Sequence, residues 1–172
     1  MTTFATCSAV KLCFVATVFV TAACQEDPEV QRQEFETDVV DAVLQRTDQW
    51  AEAARRRDAT GVLDLFINSD ELRHTENGVI FPSYEALAEF VEGWFDGTEE
   101  MDLVWEQREV VPLSADAATM TGIFSYEARQ QSGEVWAGRN VFTGVFVRRG
   151  GSWVLIHGHE SSVPTSQEQY PG

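Results

Sequence analysis

The sequence predicts an α+β domain in which three helices precede a strongly curved antiparallel β-sheet. Apolar residues recur at helical spacing in the first half of the chain, and beyond Gly97 they fall in β-rich stretches separated by short turns. With 172 residues, 44 % of them apolar, the chain is long enough for one domain with a hydrophobic core.

The first helix is predicted from Glu36 to Arg57. Small and apolar side chains lie three or four positions apart there, as on one face of a helix: Val40, Val43, Leu44, Thr47, Trp50, Ala51 and Ala54. The intervening positions are charged or polar, so the opposite face is expected to meet water.

Two shorter helices are expected to follow. Asp58 can cap a helix that ends at Phe66, because its side chain can accept a hydrogen bond from the first turn. A third helix is predicted over Tyr84–Phe95, since Pro82-Ser83 favours a helix start and Asp96-Gly97 a helix end. Its expected inward side chains are Leu87, Phe90, Val91 and Trp94.

Extended segments occupy the rest of the domain. Two short ones, Glu71–Thr75 and Val79–Phe81, flank the turn Asn77-Gly78. Four long ones follow Gly97: Asp102–Leu113, Ala117–Arg129, Glu134–Arg148 and Ser152–Ser161. The turns between them are short, so sequential strands are expected to pair antiparallel.

Residues 1–23 have the composition of a secretory signal peptide. They contain no Asp or Glu, and Lys11 precedes an apolar run that is shorter than the roughly 20 residues needed to cross a bilayer. Thr21-Ala22-Ala23-Cys24 resembles a bacterial lipobox, which implies cleavage before Cys24 and a lipid on its thiol. Plain secretion is the alternative.

The expected product is an exported protein anchored by lipid to the bacterial cell envelope. Gln25 after the cysteine favours the outer membrane, on its periplasmic or surface side, if the bacterium has two membranes. The predicted organisation is a signal peptide (1–23), an acidic flexible tether (24–35), the folded domain (36–162) and a flexible tail (163–172).

The acidic composition limits the partners. A formal net charge of -16 repels nucleic acid and anionic headgroups, because binding of either depends on clustered Lys and Arg. No nucleic acid partner is therefore expected, and the predicted contact with the membrane is through the lipid on Cys24.

The closing segment Gly151–Ser161, in which Trp153 is followed by His157-Gly158-His159, and the alanine-rich first helix ending in Arg57-Asp58 resemble the nuclear transport factor 2-like superfamily. The nearest branch is its SnoaL-like and ketosteroid-isomerase-like small domains. The resemblance implies a cone in which the sheet and three helices enclose a pocket, and a homodimer formed through the outer sheet face. It implies no single activity, because this scaffold hosts isomerases, cyclases, hydrolases and non-catalytic binding domains.

Glu160 is the leading candidate for acid–base chemistry. Strand alternation groups Val154, Ile156, Gly158 and Glu160 on the concave face, and a carboxylate in a dry pocket can act as a general base, as in isomerase members of the superfamily. His74 is a second candidate base, and Tyr84 or Tyr126 could position a substrate. A solvated or Arg-paired Glu160 is the structural alternative.

Aromatic residues and an amide are the candidates for a ligand pocket: Trp50, Trp94, Asn140, Phe142 and Phe146, together with Glu160. The alternative is that most of these aromatics are ordinary core or interface residues. Trp50 also lies on the helix where the isomerase pattern has a tyrosine, which argues against ketosteroid isomerisation.

His157 and His159 share one strand face by alternation, together with Trp153. Such a pair can bind zinc, but its position favours packing or an interface. No metal site is predicted and no cofactor is indicated.

Two functional hypotheses follow. In the first, the domain binds a small apolar or amphipathic ligand, or a protein partner, without chemistry. In the second, it is an isomerase, cyclase or hydratase with a pocket carboxylate or histidine as general base. An enzyme should present at least two ionisable groups to one enclosed cavity.

Overall fold

The computed structural model describes residues 28–163. The predicted signal peptide, Cys24, the start of the tether and residues 164–172 of the tail lie outside the described residues. In the described part of the chain, no helix is long and apolar enough to cross a membrane.

Three helices form the first layer: α1 (Pro28–Arg55), α2 (Ala59–Leu63) and α3 (Tyr84–Gly97). Helix α1 begins before the predicted Glu36, so residues 28–35, expected in the flexible tether, are helical. Arg57 ends the first helix in a left-handed conformation, with φ of 53°. As predicted, Asp58 caps α2, its side chain accepting a hydrogen bond from Gly61 N at 3.0 Å.

Helix α1 packs against the sheet with a stripe rotated slightly from the predicted one. Val39, Val43 and Thr47 are buried, whereas Val40 and Leu44 are only half-buried. The Trp105 Nε1 donates a hydrogen bond to the Thr47 carbonyl at 3.2 Å, which joins this face of the helix to the sheet.

Six strands form one curved sheet in the order β2-β1-β6-β5-β4-β3. Their bounds are β1 (Arg73–Glu76), β2 (Val79–Phe81), β3 (Thr98–Ser114), β4 (Ala117–Gln130), β5 (Val135–Arg149) and β6 (Ser152–Ser162). The predicted antiparallel meander of the four long strands is confirmed.

One edge of the sheet departs from the antiparallel pairing predicted for the long strands. Strand β1 pairs in parallel with β6, so the sheet is mixed. The segment after α2 sets this direction, because Ile67 N donates to the Leu155 carbonyl at 3.0 Å and Leu155 N donates to the Leu65 carbonyl at 2.8 Å. These bonds lead the chain along β6 into β1.

A bulge at Ile156 changes the alternation of β6. Phe146 is opposite Leu155 and Val145 is opposite His157, which leaves Ile156 as an extra residue. Trp153 and Leu155 before the bulge therefore share the buried face with Gly158 and Glu160 after it. The predicted face shared by Trp153, His157 and His159 is wrong, and so is the grouping of Val154 and Ile156 with Glu160.

The hydrophobic core lies between the helices and the concave face of the sheet. Its centre is an aromatic cluster in which the Trp105 ring is 5.2 Å from Phe124, 5.9 Å from Phe142 and 5.7 Å from Trp50, measured between ring centroids. This cluster borders the candidate site through Trp50 and Phe124.

Candidate functional site

A cavity of about 240 Å³ lies between the helices and the inner face of the sheet. Its wall is mainly apolar, and its aromatic members are Trp50, Phe66, Phe90, Trp94, Phe95, Phe124, Tyr126 and Trp136. Phe90 and Trp136 are 43 % and 44 % exposed, which places the open side of the cavity between α3 and the start of β5.

The polar side chains of the cavity come from neighbouring strands. His74 and Glu76 lie on β1, Glu160 on β6 and Asn140 on β5, and the Tyr126 ring from β4 completes this part of the wall. Glu76 is directly opposite Glu160 in the parallel pairing. The sheet therefore gathers these groups on one side of an otherwise apolar space, which we call the polar wall.

The polar wall contains a carboxyl group with a strongly altered acidity. Glu160 is 6 % exposed, and burial, followed by the negative charge of Glu76, raises its pKa to about 8. A hydrogen bond from the Asn140 side chain acts in the opposite direction. Burial also raises the pKa of Glu76. Glu160 is therefore mainly protonated at neutral pH.

His74 is held as a neutral imidazole. It is 2 % exposed, and its ring lies 5.1 Å from that of Phe66 and 5.6 Å from that of Phe81. Burial is the main cause that lowers its pKa to about 4, with smaller contributions from the charges of His159 and His157. A hydrogen bond with the Gly158 backbone acts in the opposite direction and raises the pKa of His74.

Three buried polar atoms of the cavity wall have no hydrogen-bond partner within residues 28–163: Trp50 Nε1, His74 Nδ1 and Asn140 Oδ1. Buried polar atoms are nearly always paired in folded proteins, because an unpaired one costs about 1–3 kcal/mol.

Most of the residues singled out from the sequence meet at this cavity. The wall includes Trp50, His74, Trp94, Tyr126, Asn140 and Glu160. Tyr84 does not belong to it. It lies at the start of α3, half-buried, and burial together with the charge of Asp64 raises its pKa.

Phe142 and Phe146 are core residues, which corrects their expected place in the pocket. They are buried on the same strand as Asn140, but neither lines the cavity. Their rings lie 6.5 Å apart, and Phe142 packs against Trp105 within the aromatic cluster.

The two remaining histidines are on the outer face of the sheet. His157 and His159 are exposed, so the expected packing is not found within the described chain, whereas Trp153 is buried beneath the Arg148 guanidinium at 5.2 Å. Among residues 28–163, no three His, Cys, Asp or Glu side chains are grouped to hold a metal ion.

Sequence reasoning missed Glu76 and Phe66 as wall residues. Glu76 follows His74 by two positions in a strand, so alternation alone places both on one face. No local signal marks Phe66, which reaches the wall from the segment after α2.

A curved six-stranded sheet covered by three helices, with a cavity between the layers, defines the class of nuclear transport factor 2-like proteins. The family model of the SnoaL-like domain matches residues 43–166, and the chain belongs to this family. No match is found among curated proteins.

Solved structures similar to the chain have the same fold at low sequence identity. A nuclear transport factor 2-like superfamily protein from Salmonella enterica has a TM-score of 0.65 and 14 % identity, over 81 % of this chain and 99 % of that one. A proposed scytalone dehydratase from Novosphingobium aromaticivorans has a TM-score of 0.71 and 9 % identity, over 77 % and 89 %. A proposed dehydratase of the nuclear transport factor 2-like family from Streptomyces avermitilis has a TM-score of 0.65 and 18 % identity, over 73 % and 97 %.

Proposed function

We propose that the domain binds a small, mainly apolar molecule in the cavity and holds its polar group against the polar wall. One observation supports this proposal above the others: two carboxyl groups and the side chains of His74 and Asn140 line one otherwise apolar space. Binding sites for small molecules have this composition, since apolar walls supply affinity and a few polar groups fix orientation.

The dimensions of the cavity indicate the size of the ligand. An apolar cavity of about 150 Å³ is known to accept benzene. A cavity of about 240 Å³ accordingly has room for one ring with a short side chain. The wide ring faces of Trp50, Trp94 and Phe124 suit a flat or extended apolar body.

A cavity-filling variant tests this function. Ala54 lines the cavity and is 3 % exposed, so Ala54→Leu is expected to occupy part of the space and to abolish ligand binding. Ala42→Leu is the matched control, because Ala42 lies on the same helix outside the wall. Native mass spectrometry of the purified full-length protein measures the bound mass. Retention of the same ligand by Ala54→Leu at unchanged occupancy contradicts the proposal.

Acid–base catalysis is a second candidate, favoured by the presence of several ionisable groups at one cavity. The ionised carboxylate of the Glu76–Glu160 pair can accept a proton from a substrate carbon, and the protonated carboxyl can give its proton to a departing hydroxyl, which leaves as water. Tyr126 can donate a hydrogen bond to a substrate oxygen. The proposed dehydratases with the same fold are consistent with this chemistry.

Isotope exchange separates binding from catalysis. An acid–base enzyme is expected to exchange carbon-bound hydrogen of its bound ligand with deuterium from solvent, and Glu160→Gln is expected to stop that exchange. Glu109→Gln is the control, because Glu109 is an exposed carboxylate outside the wall. Absence of exchange in the unmodified protein, with the ligand bound, rules out proton abstraction from carbon.

The proposed place of action is the bacterial cell envelope, with Cys24 as the lipid anchor and the following segment as a spacer from the membrane. The lipobox-like sequence supports this proposal. Cys24→Ala is expected to lose fatty-acid labelling and membrane association, whereas Cys7→Ala retains both. Acylated Cys24→Ala protein in the membrane fraction contradicts the anchor.

A homodimer through the outer sheet face belongs to the same proposal. It is supported by exposed apolar side chains on β3, among them Val104, Val111 and Leu113. Val111→Glu is expected to lower the sedimentation-derived mass to that of one chain, whereas Val79→Glu on β2 leaves it unchanged. A monomeric unmodified protein overturns the dimer.

A further inference from the structure

We infer that the ligand of this cavity is an organic cation, a small aromatic or aliphatic amine whose ammonium group lies against the polar wall. This inference rests on the proposed binding function and specifies the chemical class of its ligand. Three features of the cavity carry it: the carboxyl oxygens of the wall, the absence of a balancing cation beside them, and the aromatic rings of the same cavity.

The polar wall offers carboxyl oxygens to a ligand. Glu76 and Glu160 both line the cavity, and their oxygens can accept hydrogen bonds. An ammonium group carries three donors and no acceptor, so these oxygens can receive its hydrogens.

The wall also contains negative charge without a balancing cation. Among residues 28–163, no Arg or Lys lines the cavity, and neither Glu76 nor Glu160 takes part in an ion pair. His74 is neutral near pH 7, and His157 and His159 lie on the other face of the sheet. A ligand cation would compensate the carboxyl pair, whereas a ligand carboxylate would add to the repulsion.

Aromatic side chains line the same cavity as the carboxyl pair. Trp94 and Tyr126 are in edge-to-face contact at 6.4 Å, and Trp136 and Phe90 border the open side. A cation within about 6 Å of such a ring face is attracted by the ring quadrupole. The net charge of -16 also favours the approach of cations to the protein.

Binding of an ammonium group changes the protonation of the pair. The protonated Glu160 carboxyl is expected to lose its proton to solvent when the ammonium group arrives, because the ion pair favours the ionised form. The ligand keeps all its protons, so formation of one complex releases up to one proton to the buffer. A neutral ligand gives no such release.

Three probes with one skeleton test the inference: phenylbutylamine, phenylbutanol and phenylbutyrate. Titration calorimetry of the full-length protein near pH 7, in two buffers with different ionisation enthalpies, measures affinity and proton release together. The amine is expected to bind at least about tenfold more tightly than the alcohol, with net proton release, and the carboxylate more weakly than both.

Two variants test whether the polar wall causes the preference for the amine. Glu160→Gln is expected to weaken amine binding about tenfold or more and to abolish proton release, while binding of the alcohol changes little. Glu109→Gln is expected to bind all three probes as the unmodified protein does. Equal or tighter binding of the alcohol overturns the inference and leaves the cavity as a binding site. Failure of all three probes to bind overturns the proposed function as well.

Discussion

Glu76 and Glu160 are register partners in the parallel pairing of β1 and β6, and both side chains belong to the cavity wall. Parallel register brings like charges to adjacent positions on one face, and burial removes most of the water that would screen them. One consequence is that the folded protein binds a proton which the unfolded chain releases at neutral pH. The stability of the domain therefore depends on the acidity of this pair.

Glu160→Gln is expected to make the protein more stable at alkaline pH. The pKa of Glu160 is raised from its usual 4.5 to about 8 in the folded state. Below about pH 4.5 the carboxyl is protonated in both states, so it does not lower the free energy of unfolding there. Between these values stability falls as pH rises, because the unfolded state ionises first. The variant is expected to gain a few kcal/mol over the unmodified protein near pH 8.5 and little near pH 4.5.

Urea denaturation across this pH range measures the effect, with Glu109→Gln as the control that shows no gain. Equal stability of Glu160→Gln and the unmodified protein at every pH would show that Glu160 is not desolvated in the folded protein.

Gly158→Ala is expected to disturb His74. A Cβ at Gly158 would lie 2.5 Å from His74 Nδ1 and 2.9 Å from Leu155 Cδ2, closer than atoms can pack, and His74 is itself enclosed between Phe66 and Phe81. The expected cost is about 1–3 kcal/mol of unfolding free energy.

Gly93→Ala is the matched control for this substitution. Its Cβ would meet no atom within 4 Å, and alanine favours the helix by up to about 1 kcal/mol over glycine. Thermal unfolding of both variants decides the point. A neutral Gly158→Ala would mean that the His74 ring can move away without loss.

The placement of Glu160 and Asn140 on the cavity wall, and of His157 and His159 on the opposite face of the sheet, followed from reasoning on the sequence, whereas the burial of Trp153 on the inner face did not. Alternation fixes which residues share a face only while a strand is regular. The bulge at Ile156 depends on how β6 pairs with β5, and no residue type in the segment marks it. Trp153, which precedes the bulge, was therefore assigned to the wrong face.

A second reason limits how much of the site could be predicted from the sequence. The pairing of β1 with β6 joins segments more than eighty residues apart, and local periodicity carries no information about such contacts. Glu76 was visible as a neighbour of His74 in sequence, but its position opposite Glu160 depends on this long-range register. The helices and the four long strands were predictable because each follows from local spacing and turn residues.

Arg108→Met is expected to weaken the contact between α1 and β3. The Arg108 Nη1 donates to Thr47 Oγ1 at 2.9 Å and to the Leu44 carbonyl at 3.0 Å, and it is 2.7 Å from the Asp48 carboxylate. The guanidinium is mostly buried, so loss of these bonds is expected to cost about 1–3 kcal/mol.

Arg129→Met on β4 is the comparison for Arg108→Met. Arg129 pairs with Glu100 at the surface, and both side chains are well exposed, so its removal is expected to change stability by less than about 1 kcal/mol. Chemical denaturation of the two variants measures the difference. Equal effects would show that Arg108 adds no more than an exposed ion pair.

His74→Gln is expected to remove part of the acid sensitivity of the protein. Burial lowers the pKa of His74 from 6.5 to about 4 in the folded state, so the unfolded chain takes up a proton below pH 6.5 that the folded protein does not. This group stabilises the folded protein fully above about pH 6.5, and the contribution is lost as pH falls to about 4, by a few kcal/mol.

The slope of unfolding free energy against pH across this interval is therefore expected to be smaller in His74→Gln, even if the variant is less stable at every pH. Glu160→Gln is the control variant. It removes the decrease in unfolding free energy as pH rises, and it is expected to keep the decrease at acid pH that is due to His74. An unchanged acid-side slope in His74→Gln would mean that His74 titrates normally in the folded protein and is not enclosed as a neutral imidazole.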